Sequence, residues 1–90
     1  MILGLQHKSV LITGGSSGIG LELSHQLIAR KNKVIICGRS LKKLQEAKAK
    51  LPELYIIQCD LSDVSQCDQL ISQVKKEHPD LNILINNAAI

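Results

Sequence analysis

Glycines and serines directly follow an apolar run near the start of the chain, in the stretch LITGGSSGIG. Glycine carries an entropic cost in a folded domain, so a cluster of glycines predicts that something approaches the backbone closely. Gly14 allows a tight turn, Gly18 allows the backbone to come close to a ligand, and Gly20 allows a helix to pack closely on a sheet. Ser16 and Ser17 carry hydroxyl groups that could donate hydrogen bonds to the same ligand. These residue types suit a phosphate or pyrophosphate bound at a helix N-terminus.

The spacing of the glycines separates two kinds of phosphate-binding loop. Gly15 and Gly20 have the spacing of a P-loop, but Leu21 and Glu22 follow them, so the phosphate-binding lysine of that loop is missing. The ordinary GxGxxG spacing is also absent, because the motif reads Gly-xxx-Gly-x-Gly after Thr13. A glycine-rich turn that binds no ligand remains the alternative.

The second informative position follows the next apolar run, where the chain reads CGRS. Units that bind NAD usually place an Asp or Glu about 20 residues beyond the glycines, where it accepts a hydrogen bond from the ribose 2′-hydroxyl. Here Arg39 stands instead, and its guanidinium suits charge-assisted pairing with a 2′-phosphate. This favours NADP over NAD. Alternatively, Arg39 is a solvent-facing loop cation and Ser40 only caps a helix, although a cap could also contact the phosphate.

Two later segments are predicted to end strands beside the same crevice. In CDLSD, Asp60 and Leu61 could flank an adenine, with the carboxylate accepting a hydrogen bond from the exocyclic amine. The alternative is that Asp60 caps the following helix. In LINNAA, Asn86 and Asn87 place amide side chains next to small residues, which permits a further close approach of the backbone.

The elements that must position these residues alternate along the chain. Short apolar runs predict strands at residues 8–13, 33–37, 53–59 and 81–86. Between them, apolar residues recur at helical spacing; the three predicted stripes are Ile19, Leu23 and Leu27, then Leu41, Leu44, Ala47 and Leu51, then Val64, Cys67, Leu70, Ile71 and Val74. Strands that are apolar on both faces, separated by amphipathic helices, predict an α/β fold with a parallel sheet covered on both sides. We expect the strand order 3-2-1-4, with the fourth strand at an exposed edge.

Composition excludes several classes of function. The formal net charge is only +3 and Tyr55 is the single aromatic residue, so stacking on nucleic-acid bases is not supported. Tyr55 lies in a strand predicted to be buried, and we expect it in the core. Cys37, Cys59 and Cys67 form no CxxC pair, which argues against a disulfide framework or zinc site. We find no signal peptide or transmembrane run, no catalytic triad and no metal constellation, and we expect a cytoplasmic protein that binds no membrane.

Taken in order, TGGSSGIG, CGRS, CDLSD and LINNAA resemble the short-chain dehydrogenase/reductase family, which binds NAD(P) on a Rossmann fold. Within that family, VIICGRS and PDLNILINNAA are similar to the DltE-type bacterial oxidoreductases. The resemblance implies a phosphate-binding loop, an NADP-selecting arginine, an adenine-flanking pair and a further cofactor-side element. Their residues are Gly14, Ser16, Ser17, Gly18, Ile19 and Gly20, then Arg39, then Asp60 and Leu61, then Asn87, Ala88 and Ala89. It also implies a structural role for Asn86 in bracing the sheet.

The chain departs from the family pattern in two respects. Ala89 stands where the family usually has a glycine, so a methyl group would lie near the cofactor. The family's Tyr-xxx-Lys pair and its upstream serine are absent, and we therefore assign no catalytic residue. We expect residues 1–90 to be the cofactor-binding half of a longer NADP-dependent oxidoreductase, inactive alone. The full-length protein is expected to be a homo-oligomer acting on an alcohol or carbonyl. The alternative is a non-catalytic dinucleotide-binding or subunit-pairing module.

Overall fold

The structure is a computed structural model that describes residues 4–16 and 18–87. Strands and helices alternate through it, as the apolar runs predict. The strands are β1 (Ser9–Thr13), β2 (Lys33–Gly38), β3 (Tyr55–Gln58) and β4 (Ile83–Asn86). The helices are α1 (Gly18–Ala29), α2 (Leu41–Lys50) and α3 (Val64–Glu77).

The four strands form one parallel sheet in the order β3-β2-β1-β4, which confirms the predicted order. β1 pairs with β2 on one side and with β4 on the other, and β2 pairs with β3. Parallel neighbours need crossover connections, which the helices supply. Because all strands run the same way, their carboxyl ends lie along a single edge of the sheet.

Each face of the sheet buries its own apolar cluster. On one face, side chains of β1 and β2 pack against Leu27 of α1 and against Leu44 and Ala47 of α2. On the other face, alternate side chains of the same strands pack against Leu70 and Val74 of α3. Strands buried on both faces require continuous apolar runs, and this explains the composition of β1 and β2.

The buried face of α1 differs from the predicted stripe. Ile19 is 80% exposed and Leu23 is half-buried, whereas Gly20, Ser24 and Leu27 are buried. The face is rotated because Gly20 packs against the turn after β1, where a side chain would not fit. Ser24 is tolerated inside because its hydroxyl donates a hydrogen bond to the Gly20 carbonyl at 2.8 Å.

The prediction that Tyr55 belongs to the core is wrong. Its side chain is 48% exposed, because β3 is an edge strand and Tyr55 stands at its first position. The ring makes an edge-on contact with His78, with 5.0 Å between the ring centroids, and the Lys33 ammonium lies 5.3 Å from the Tyr55 ring. Tyr55 therefore lies at the edge of the sheet, at the amino end of β3.

The predicted stripes of α2 and α3 are also only partly buried. Leu44 and Ala47 of α2 and Leu70 and Val74 of α3 are buried, but Leu41, Val64 and Ile71 are exposed. α3 is the only described helix on its face, so its flanking apolar residues have no neighbouring helix within the described chain. Among the described residues, no helix is long and apolar enough to cross a membrane.

Candidate functional site

The glycine turn joins the carboxyl end of β1 to the start of α1. Gly14 and Gly18 both have positive φ angles, 68° and 57°, which glycine adopts without steric cost. The Gly14 N–H donates to the Cys37 carbonyl at 3.0 Å and so attaches the turn to the neighbouring strand β2. The turn thus lies beside the end of β2, where the chain continues into Arg39.

Gly15 and Gly20 have no room for side chains. A Cβ atom on Gly20 would collide with the Gly14 carbonyl and come within 2.9 Å of the Asn87 amide nitrogen. A Cβ atom on Gly15 would collide with the Ile36 side chain. The two glycines therefore let the turn and the first turn of α1 pack directly on the sheet. The tight fit at Gly15 was not anticipated, although the residue belongs to the glycine cluster.

Two asparagines connect the end of β4 to the glycine turn. Asn86 Oδ1 accepts a hydrogen bond from the Thr13 hydroxyl at 2.8 Å, and the Thr13 oxygen accepts one from the Asn87 N–H at 2.9 Å. The Asn87 side chain in turn donates to the Gly14 carbonyl at 3.1 Å. Asn86 thus has the bracing contact that the resemblance implies, while Asn87 reaches the turn itself.

The end of β2 presents Arg39 and Ser40 at the start of α2. Arg39 is exposed, and its carbonyl accepts a hydrogen bond from the Gln58 side chain of β3 at 3.0 Å. Ser40 is the N-cap of α2, since its Oγ accepts from the Lys43 N–H at 3.2 Å. The predicted cap is confirmed, and Arg39 directly precedes it in the chain.

Asp60 does not cap α3, so that alternative is wrong. The cap is Asp63, whose Oδ1 accepts from the N–H groups of Ser65 and Gln66 at 2.9 and 3.4 Å. Asp60 Oδ1 instead accepts from the N–H and the hydroxyl of Ser62, at 3.0 and 2.7 Å. These bonds, with the nearby charge of Arg39, hold the pKa of Asp60 below its usual value, so the carboxylate is ionised.

Some of the remaining predicted residues lie at the same edge, and the others fall outside the described part of the chain. Ser16 and Leu61 are half-buried, and Ile19 and Asn87 are exposed. Ser17, Ala88 and Ala89 lie outside the described residues. The edge therefore combines a glycine turn at a helix N-terminus, a cation after β2 and a carboxylate after β3, which suits a phosphorylated nucleotide. Within residues 4–16 and 18–87, no group of three His, Cys, Asp or Glu side chains could hold a metal ion.

Comparison with known proteins shows what this chain is similar to. The chain is 52% identical over 86 residues to the uncharacterized oxidoreductase DltE of Bacillus subtilis, covering 96% of the chain and 34% of DltE. It is 34% identical over 82 residues to the NADP-dependent 3-hydroxy acid dehydrogenase YdfG of Escherichia coli, covering 90% of the chain and 33% of YdfG. The crystal structure of actinorhodin polyketide ketoreductase with NADPH superimposes with a TM-score of 0.85 at 29% identity, covering 92% of the chain and 33% of the ketoreductase.

The chain thus spans about one third of the length of the curated relatives it matches. The family model described as short chain dehydrogenase matches residues 8–90, from the residue before β1 to the last residue of the chain. The four parallel strands of this chain, with their flanking helices, form the Rossmann-type sheet that the resemblance implied. On the sequence match and the fold together, the chain belongs to the short chain dehydrogenase family.

Proposed function

We propose that this chain is the cofactor-binding part of an NADP-dependent oxidoreductase that transfers a hydride between NADP(H) and an alcohol or carbonyl compound. The observation that carries the proposal is the position of Arg39 at the end of β2. The Gly14 N–H bonds to the Cys37 carbonyl, so the glycine turn stands beside the strand end that leads into Arg39. A dinucleotide with its pyrophosphate at the turn would therefore bring its adenosine ribose towards this cation.

The residues at this edge fit NADP in shape and in charge. Gly20 lets the first turn of α1 pack against the Gly14 carbonyl and the Asn87 side chain, and Gly18 adopts a positive φ with no atom near its missing Cβ. The ionised Asp60 carries an acceptor for an adenine amine, and Arg39 carries donors for a 2′-phosphate. When bound, NADP supplies or accepts the hydride. The described residues would bind and orient it, with the Thr13, Asn86 and Asn87 contacts holding the turn in place.

Relatives support the choice of NADP. YdfG is named as an NADP-dependent dehydrogenase, and the ketoreductase structure holds NADPH. Because the chain matches one third of these proteins, we assign proton transfer and substrate recognition to the remainder of the full-length protein. A homo-oligomeric, cytoplasmic enzyme with a small-molecule substrate remains a prediction. Residues 1–90 alone should show no turnover.

Reversal of the charge at Arg39 tests the cofactor choice. In the full-length protein, Arg39→Asp should weaken NADPH binding at least tenfold while NADH binding changes little, because only NADPH carries the 2′-phosphate. Lys76→Asp is the matched control, since Lys76 is exposed in the last turn of α3. Equal losses for both cofactors in Arg39→Asp would refute the role of Arg39. Absence of binding of either cofactor by the unmodified protein would refute the proposed function.

A further inference from the structure

Gln66, in the first turn of α3, holds the loop that follows β3. Its Oε1 accepts a hydrogen bond from the Asp60 N–H at 2.7 Å. Its Nε2 donates to the Asp63 carboxylate at 3.3 Å, and its carbonyl accepts from the Cys59 thiol at 3.6 Å. One half-buried side chain therefore connects the start of α3 to the backbone of Asp60 at the end of the strand.

The start of α3 does not depend on this contact with Asp60. Asp63 already caps the helix through its own carboxylate, which accepts from the Ser65 and Gln66 N–H groups. The bond from Asp60 to Gln66 Oε1 is additional, and it determines where the Asp60 backbone lies relative to the helix. This contact therefore acts on the loop after β3 rather than on the formation of the helix.

The Asp60 carboxylate has one oxygen committed and one available. Oδ1 accepts both hydrogen bonds from Ser62, whereas Oδ2 takes part in no hydrogen bond among the described residues. The bonds from Ser62, with the charge of Arg39, lower the pKa of the group, so the available oxygen belongs to an ionised carboxylate at the cofactor edge. Such an oxygen is a strong acceptor for an exocyclic amine.

We propose that Gln66 is a positioning residue for the adenine end of the cofactor: by holding the Asp60 backbone, it keeps the Asp60 carboxylate where it accepts the adenine amine. This inference rests on the proposed function, because it requires a dinucleotide at the edge described above. It assigns Gln66 no contact with the cofactor. Its effect is confined to the adenine end, and the nicotinamide end should not respond.

Removal of the acceptor tests the inference in the full-length protein. Gln66→Leu has a similar size but cannot accept from the Asp60 N–H, and it should weaken NADPH binding about tenfold, the effect of a lost charge-assisted hydrogen bond. The unmodified protein should prefer NADPH over its analogue with hypoxanthine in place of adenine, because hypoxanthine lacks the amine. In Gln66→Leu the ratio of the affinities for NADPH and for this analogue should fall towards one, while the affinity for reduced nicotinamide mononucleotide stays unchanged.

Gln73→Leu is the matched control. Gln73 is also half-buried on α3, but its side chain donates to Glu77 at 3.4 Å, away from the cofactor edge. It should keep the wild-type preference for adenine. Hydrogen exchange of the Asp60 amide should accelerate in Gln66→Leu and not in Gln73→Leu. If leucine at position 66 prevents folding, Gln66→Met supplies the same loss of the acceptor with an unbranched side chain.

The outcomes separate the two proposals. If a folded Gln66 variant keeps the full preference for adenine, or if Gln73→Leu loses as much of it, Gln66 has no positioning role. If the unmodified protein binds NADPH and its hypoxanthine analogue equally, the assigned contact between Asp60 and adenine is wrong, and this inference fails while NADP binding stands. If the unmodified protein binds neither, the proposed function itself fails.

Discussion

The side-chain amide of Asn87 donates a hydrogen bond to the Gly14 carbonyl at 3.1 Å, across 73 positions of the chain. The same amide nitrogen would lie 2.9 Å from a Cβ atom on Gly20. One residue after β4 therefore contacts the turn after β1 and borders the start of α1. The shape of the glycine turn is thus determined in part by the residue that follows the neighbouring strand β4.

Loss of the Asn87 side chain should reduce cofactor affinity more than stability. Asn87→Ala removes the donor to the Gly14 carbonyl, and we expect NADPH binding to the full-length protein to weaken about tenfold, with a loss of about 1 kcal/mol in the free energy of unfolding. Isothermal titration and urea unfolding measure the two quantities.

Asn82→Ala provides the control at the opposite end of the same strand pair. Asn82 Oδ1 accepts from the Ser9 N–H at 2.9 Å, also across 73 positions. Its loss should destabilise the protein by a similar amount and leave NADPH affinity unchanged. If the two variants lose affinity equally, Asn87 acts only through global stability.

The conformation of the turn gives a second prediction. Gly18 has φ +57° and open space around its missing Cβ, so Gly18→Ala should destabilise the protein by about 1–2 kcal/mol through backbone strain. It should also weaken NADPH binding, because the methyl group would stand where the phosphates approach. Gly4 has φ +73° and equally open space, so Gly4→Ala should show the strain without the loss of affinity. Unchanged affinity in Gly18→Ala would contradict a phosphate site at this turn.

Much of the fold was predictable because it depends on local patterns. The apolar runs and the alternation of periods predicted four strands, three helices and the strand order. The Ser40 cap was also predictable, since capping depends on a residue and its near neighbours. It was also predictable that the polar residues at the strand ends would share one edge, because a parallel sheet aligns the carboxyl ends of its strands.

The errors arose where tertiary contacts override local pattern. Periodicity alone assigned Ile19 to the buried face of α1, but the close fit of Gly20 rotates the helix. Tyr55 was assigned to the core because it lies in an apolar strand predicted to be buried, yet that strand is an edge strand and leaves its ring half-exposed. The role of Gln66 depends on a side-chain contact six positions back, across the start of a helix, for which one glutamine in a sequence gives no signal.

Acid sensitivity is predicted for the contact between His78 and Tyr55. His78 is buried, and burial together with the Lys33 ammonium lowers its pKa, while Glu77 and Asp80 act weakly in the opposite sense. The folded state thus binds a proton less readily than the unfolded chain, whose histidine titrates near 6.5. The lowered pKa of His78 therefore contributes fully to the free energy of unfolding above pH 6.5, and this contribution is lost as the pH falls below that value.

Urea unfolding of the full-length protein at pH 7.5 and pH 5.5 measures this dependence. His78→Phe keeps an aromatic ring against Tyr55 and should lose less stability between the two values than the unmodified protein. His25→Phe is the control, because the His25 side chain is exposed beside Glu22 on α1. It should keep the wild-type difference. An unchanged difference in His78→Phe would exclude His78 as the source.

The three cysteines should differ in reactivity. Cys37 is fully buried, and burial, with the charges of Cys59 and Cys67, raises its pKa to about 11. Burial also raises the pKa of Cys59, whereas Cys67 is only half-buried. Because the thiolate is the reactive form, iodoacetamide at pH 8 should alkylate Cys67 first and Cys37 last, as measured by peptide mass spectrometry. Alkylation of Cys37 first would contradict its burial.

The position of β1 in the sheet has a consequence for synthesis on the ribosome. β1 is translated before the strands it pairs with, which are β2 on one side and β4 on the other. β2 follows it closely, but β4 begins only at Ile83. Until β4 emerges, one side of the strand that precedes the glycine turn has no partner, and such nascent edges invite pairing with other chains. Closure over so long a separation is intrinsically slow, so the nascent chain should depend on chaperones most strongly just before β4 leaves the exit tunnel.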